Sequence, residues 1–122
     1  MGRGLAVMLQ LAACAPYVAL ADGVEAVDPS RGDVEIRGHV LDAETREPIK
    51  GALILIRCDC LPGQREVMTT DGRYHFRGLP PGSYTVQMLH GDDNVQKRLE
   101  AKPGHRWHVG FSAAPRRRFG CY

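Results

Sequence analysis

Past its first 21 residues the sequence has no long apolar run, no helical periodicity, no internal repeat and no low-complexity segment. Without about 20 consecutive apolar residues no membrane-spanning helix is expected there. Without a 3.6-residue hydrophobic period no helical architecture is expected. An excess of charge of one sign is lacking too. Once Arg3 is set aside with the leader, the 16 Lys+Arg fall to 15 against 14 Asp+Glu, so no strong field for nucleic acid or membrane follows. At 122 residues the chain has room for one domain.

The exceptional composition lies at the start. Met1-Gly2-Arg3 is positive, residues 4–15 are nearly all apolar, and Ala19-Leu20-Ala21 is a small-residue site before Asp22. That is the layout of a secretory signal helix over 1–21, with cleavage after Ala21. Gln10 and Pro16 interrupt the run, which argues against a stable span. Leu11-Ala12-Ala13-Cys14 offers an alternative, a lipobox in which Cys14 carries lipid; membrane attachment is expected only in that case. Either way the expected location is outside the cytoplasm, periplasmic or secreted, or at the outer membrane as a lipoprotein.

Residues 22–33 are short, polar and aperiodic, and read as a flexible leader. Arg31-Gly32-Asp33 within it is a tripeptide of the kind that recurs by chance. From Val34 the pattern changes to period 2. Val34, Ile36 and Val40 alternate with Glu35, Arg37 and His39. Residues 52–57 and 65–70 read as further strands. Tyr74 and Phe76 alternate with Arg73, His75 and Arg77, and Tyr84 and Val86 follow after the Pro80-Pro81-Gly82 corner. Residues 95–101 and 106–113 complete seven strands, punctuated by Asp71-Gly72, Gly91-Asp92 and Pro103-Gly104. The reading is an all-β, seven-stranded Greek-key sandwich over 34–113, with a basic tail over 114–122. Trp107, in phase with Val109 and Phe111, is expected in the core.

Cys58, Cys60 and Cys121 remain after the leader, in a compartment where disulfides persist. On a strand, Cys58 and Cys60 face one side at the upper limit of bridging distance, so a bond between them would be strained. A bridge from one of them to Cys121 closes a loop of about 60 residues, worth about 3–4 kcal/mol by chain entropy. A structural disulfide is the preferred reading, and metal binding by two sulfurs the least favoured.

Two blocks carry a resemblance. Ile36-Arg37-Gly38-His39-Val40-Leu41-Asp42 with Pro48-Ile49-Lys50-Gly51-Ala52-Leu53-Ile54 resembles the opening of a carboxypeptidase regulatory-like domain, a transthyretin-like sandwich. Thr70-Asp71-Gly72-Arg73-Tyr74-His75-Phe76 with Leu79-Pro80-Pro81-Gly82-Ser83-Tyr84-Thr85-Val86 is similar to its second hallmark. Arg46 departs from the pattern by standing where a turn glycine is common. The resemblance implies a domain without catalytic residues or cofactor that aids folding, docking or surface recognition. Transthyretin-like hydroxyisourate hydrolases end in Tyr-Arg-Gly-Ser, unlike Phe119-Gly120-Cys121-Tyr122. The isopeptide of related surface sandwiches needs a buried Asn, and the one asparagine, Asn94, sits in a turn.

Side-chain chemistry adds little to an enzymatic reading. His39, His75, His90, His105 and His108 are scattered, and His105 and His108, three apart on a strand, point to opposite faces, so no metal site is expected. Ser83 has no partner histidine in the pattern. The expected function is a non-enzymatic envelope module that docks a protein through Leu53 and Leu55, which make their strand apolar on both faces. Binding to cell-surface polysaccharide is the alternative, and Arg116, Arg117 and Arg118 are a candidate contact for anionic envelope lipid or polysaccharide. A thiol-redox role for Cys58 and Cys60 is the enzymatic alternative.

Overall fold

The computed structural model describes residues 18–20, 22–28 and 30–113. Ten strands occur among them. They are β1 (Val18–Leu20), β2 (Gly23–Ala26), β3 (Val34–Asp42), β4 (Leu53–Arg57), β5 (Arg65–Met68), β6 (Arg73–Leu79), β7 (Gly82–His90), β8 (Asp93–Ala101), β9 (His105–His108) and β10 (Phe111–Ala113). Sheet I has the order β1-β8-β7-β4-β5. In sheet II, β3 pairs β6 on one edge and β9 then β10 on the other, with β2 outside β9. The chain crosses between sheets at β3–β4, β5–β6, β6–β7 and β8–β9, which makes the expected sandwich.

The period-2 pattern decides which residues line the interior. Ile54 and Ile56 on β4 stand opposite Met88 and Val86 on β7, and all four are fully buried. Ile36 on β3 meets Phe76 on one side and Trp107 on the other. Burying each such side chain is worth about 1.5–3 kcal/mol. Trp107 packs against this core, as its phase predicts.

The seventh expected strand is two, β9 and β10, interrupted at Val109-Gly110. The register survives the break, since Arg37 pairs His108 and Val40 pairs Phe111, three residues on on both strands. Side chains replace the missing ladder. Tyr74 Oη donates to the Val109 carbonyl (2.5 Å), Lys97 Nζ donates to the Gly110 carbonyl (2.5 Å), and Gly110 N–H donates to Asp22 Oδ2 (2.6 Å). Gly38 lies beneath this corner, where a Cβ would stand 1.8 Å from the Val109 oxygen.

The segment read as a flexible leader differs from expectation, because Gly23–Ala26 pairs antiparallel with β9. Its side chains are mostly exposed, so hydropathy carried no signal. Backbone pairing and charge hold it instead. Glu25 accepts from Arg106 (3.1 Å), and Asp22 accepts from Lys97 (2.7 Å). Val18–Leu20, at the end of the expected signal segment, pairs parallel with β8. Residues 1–17, with the lipobox Cys14, and the 114–122 tail, with Arg116, Arg117, Arg118 and Cys121, lie outside the described residues.

Two turns explain local choices. Gly72 has φ 81°, and a Cβ there would meet Pro48 at 2.6 Å. Arg46 has φ 65°, the left-handed region in which glycine is at ease and a larger residue is strained. The third expected strand ends at Met68 because Thr69 turns inward. Its hydroxyl accepts from Ala52 N–H (3.0 Å) and donates to the Ile49 carbonyl (2.8 Å).

Gly38→Ala is therefore expected to lower unfolding free energy by about 3 kcal/mol, the upper range for overpacking. A urea midpoint within error of wild type would show that the β3–β9 approach can relax.

Candidate binding surfaces

The predicted docking residues lie on the outer face of sheet I. Leu53 stands in register with Met68 on β5 and Leu89 on β7, an apolar row across three strands. Met68 is 55% exposed, while Leu53 and Leu89 are half-buried. Leu55 departs from the expectation, being only 7% exposed. Its neighbours in register are Glu66 and Gln87. Gln87 is held in a hydrogen-bonded chain, accepting from Arg57 (2.7 Å) and donating to Asn94 (2.8 Å). Polar side chains thus flank Leu55, and the accessible apolar row is Met68–Leu53–Leu89.

Cys58 and Cys60 are bonded to each other, with S–S 2.06 Å. The expectation of a long bridge to Cys121 assumed that both lie on an extended strand. Instead β4 ends at Arg57, and Cys58-Asp59-Cys60 turns, bringing the Cα atoms to 4.9 Å, well inside bridging range. The disulfide lies over Gly82, where a Cβ would meet the two sulfurs at 2.8 and 2.9 Å. An open cleft of about 690 Å³ adjoins it, lined also by Arg57, Asp59 and Gln64. Ser83, on its rim, donates to Glu100 (2.8 Å) rather than to a histidine.

Sequence reasoning weighed the histidines singly and missed where the strands put them. On β3 and β6, Arg37 and His39 stand opposite His75 and Arg73, and Arg37 also stands beside His108 on β9. His39, His75, His108, Arg37 and Arg73 thus share one groove of about 730 Å³ on the outer face of sheet II. The signal was present as the alternations Arg37-x-His39, Arg73-x-His75-x-Arg77 and Arg106-x-His108. His105 leaves this group, its Nδ1 lying 2.9 Å from the Pro103 carbonyl. Among the described residues no three His, Cys, Asp or Glu side chains come together as a metal site.

Beside the groove Glu35 collects an ionic row. His75 Nε2 lies 3.0 Å from Glu35 Oε1, Arg106 Nε donates to the same oxygen (3.1 Å), and Arg106 also donates to Glu25 (3.1 Å). The Glu35 side chain is 12% exposed. Burial pushes its carboxyl upward, but hydrogen bonds and charge from His75 and Arg106 outweigh it, and the net shift is downward. Asp22 behaves alike, burial being outweighed by Lys97 and the Gly110 N–H.

Residues 35–104 match the carboxypeptidase regulatory-like domain. No protein of curated function matches the sequence. Several solved structures share the architecture. A 3-chlorocatechol 1,2-dioxygenase of Rhodococcus opacus superposes with TM-score 0.55 at 14% identity, over 82% of this chain and 64% of that one. The dioxygenase domain of a dioxygenase–carbohydrate-binding fusion from Streptomyces sp. SirexAA-E gives 0.53 at 17%, over 81% and 88%. A provisionally named carbohydrate-binding protein of Bacteroides uniformis gives 0.51 at 21%, over 65% of this chain and 40% of that one. At these identities the likeness is one of fold.

Two outcomes are expected. Cys58→Ser with Cys60→Ser should cost about 1–2 kcal/mol, the chain-entropy value for a three-residue loop. A loss of about 4 kcal/mol in urea unfolding would mean that a larger loop had been opened. Because the Glu35 carboxyl titrates lower folded than unfolded, its stabilisation is complete above the usual glutamate pKa of about 4.3 and is lost as pH falls through the folded value. Glu35→Gln should flatten the fall in melting temperature below pH 5; an unaltered acid limb would remove Glu35 from the linkage.

Proposed function

Because the chain belongs to the carboxypeptidase regulatory-like domain family, we propose that it is a non-catalytic docking module of the bacterial cell envelope. Domains of this family are non-catalytic. The reading rests on one observation, the apolar row Met68–Leu53–Leu89 on the outer face of sheet I. The row reaches the short edge strand β5, where an extended partner segment can add backbone hydrogen bonds while its alternate side chains meet the row. Export by the N-terminal signal segment, with lipidation at Cys14 as its variant, would deliver the module to an envelope protein.

The test is photocrosslinking of a tagged, exported copy in cells, with mass spectrometry of the adducts. One dominant envelope protein is expected, and Leu53→Lys should reduce that adduct at least ten-fold with the urea midpoint preserved. Leu53 is the site of choice because a lysine at Leu55 would be forced into a buried position. An unchanged adduct from the Leu53→Lys protein would reject the row as the docking surface.

A further inference from the structure

The two outer faces of the sandwich differ in charge. On sheet II the outward residues of β3, β6 and β9 are almost all cationic or histidine; the carboxylates near them are Glu35 and Glu25 in one row, Asp71 at the groove's rim and Asp22 near His39. Glu35 and Glu25 occupy that row and share Arg106 between them. The next row sets His75, Arg37 and His108 side by side across three strands; His75 reaches back to Glu35 (3.0 Å) and His108 to Glu25 (3.4 Å), and Arg37 between them has no carboxylate partner. The row beyond sets His39 against Arg73.

Like charges directly opposite across a sheet oppose pairing. The chain relieves such contacts elsewhere, since Arg31 pairs with Asp33, Arg57 binds Gln87 and Lys97 binds Asp22. Arg37, Arg73 and Arg77 make no side-chain hydrogen bond or ion pair among the described residues. Their guanidinium forks are free to take planar anions two bonds at a time. Arg37 and Arg73 line a groove that is also two-sided, its cationic floor of Arg37, His75 and His108 meeting a wall that includes Val67 and Met68, with Asp71 at the rim.

We propose that this groove binds an anionic polysaccharide, one bearing uronate or sulfate groups, with Arg37 and Arg73 as the principal contacts. A sugar chain of that kind has both chemistries the groove offers. Its C–H faces suit the Val67–Met68 wall and its anions suit the arginines. Single-stranded nucleic acid would need aromatic rings for its bases to stack on. The groove's imidazoles of His39, His75 and His108 are small platforms, and its one larger ring, Tyr74, is buried with its hydroxyl committed to Val109. The groove shares Met68 with the docking row, but its charged contacts come from sheet II, so the arginine variants and Leu53→Lys separate the two readings.

The test uses the purified full chain in affinity electrophoresis and calorimetry, with polygalacturonate and dextran sulfate as probes and neutral dextran as the control. Binding to at least one acidic polymer is expected, weakening as salt rises, with none to neutral dextran. Arg37→Gln with Arg73→Gln should weaken it at least ten-fold, and the charge reversal Arg73→Glu alone by a comparable factor. Leu53→Lys should leave it unchanged. Because both arginines are outward and unpaired, the urea midpoints of these variants should match wild type; a variant that fails to fold is replaced by Arg73→Gln alone, whose side chain lines the groove and points outward from an edge strand. The proposal is overturned if neither acidic polymer binds, if the arginine variants bind as wild type does, or if phosphatidylglycerol vesicles or oligothymidylate bind more tightly than both polymers.

Discussion

A methyl group on Gly38 would overlap the carbonyl oxygen of Val109, and much of sheet II depends on that space being empty. The close approach lets β3 take β9 and β10 along one edge while β6 holds the other. It also brings the Tyr74 hydroxyl to the Val109 carbonyl, where burial pushes the phenol well above its ordinary pKa and keeps it a donor. The neighbouring peptide group of Gly110 is claimed by Lys97 and Asp22. One bare α-carbon thus permits a strand break in the middle of a sheet without leaving its polar groups unpaired, which would otherwise cost about 1–3 kcal/mol each. The corner also ties the sheets together, since Lys97 belongs to β8 of sheet I and Tyr74 to β6 of sheet II.

The interior asks the same of both sheets, and the exteriors diverge because nothing in the fold constrains them. Inward positions must be apolar and of the right size, which is why Ile54, Ile56, Val86 and Met88 vanish from solvent together. Outward positions are free to carry a partner's chemistry. Sheet I uses them for a leucine–methionine row beside a hydrogen-bonded chain of Arg57, Gln87 and Asn94. Sheet II uses them for arginine and histidine. A small net charge therefore hides a local excess of cationic and histidine side chains on sheet II.

The strands of the sandwich were readable because one face of each is buried, which writes a period of two into the sequence. Tyr74, Phe76, Tyr84 and Val86 fell where that period put them. Arg46 was readable only as standing where a turn glycine is common, and its positive φ is what the structure adds. Strand β2 was not readable, for it is held by backbone pairing and by Glu25 and Asp22 rather than by burial. The Cys58–Cys60 bond was misjudged for a related reason. Strand geometry was carried three residues past Arg57, and a turn shortens the Cα separation that decides whether two cysteines can join. Leu55 was taken as exposed because its alternation is outward, but alternation gives direction, and cover by long polar neighbours is a tertiary property.

The cationic groove was within reach of the same period-two reasoning, yet required two strands to be considered together. Arg37-x-His39 and Arg73-x-His75 are unremarkable one at a time. Antiparallel register places them opposite each other, and the parallel contact with β9 adds His108. The ionic row beside them then has a second role. Glu35 and Glu25 join β2, β3, β6 and β9 through Arg106 and His75, so the carboxylates that stabilise this sheet also bound its positive field. Acid that protonates Glu35, whose carboxyl is held, against the upward push of burial, below its ordinary value by His75 and Arg106, removes an anchor and a counter-charge at once. Stability of sheet II and the strength of its outward field must therefore move in opposite directions as pH falls, a coupling set by the geometry of a single row of side chains.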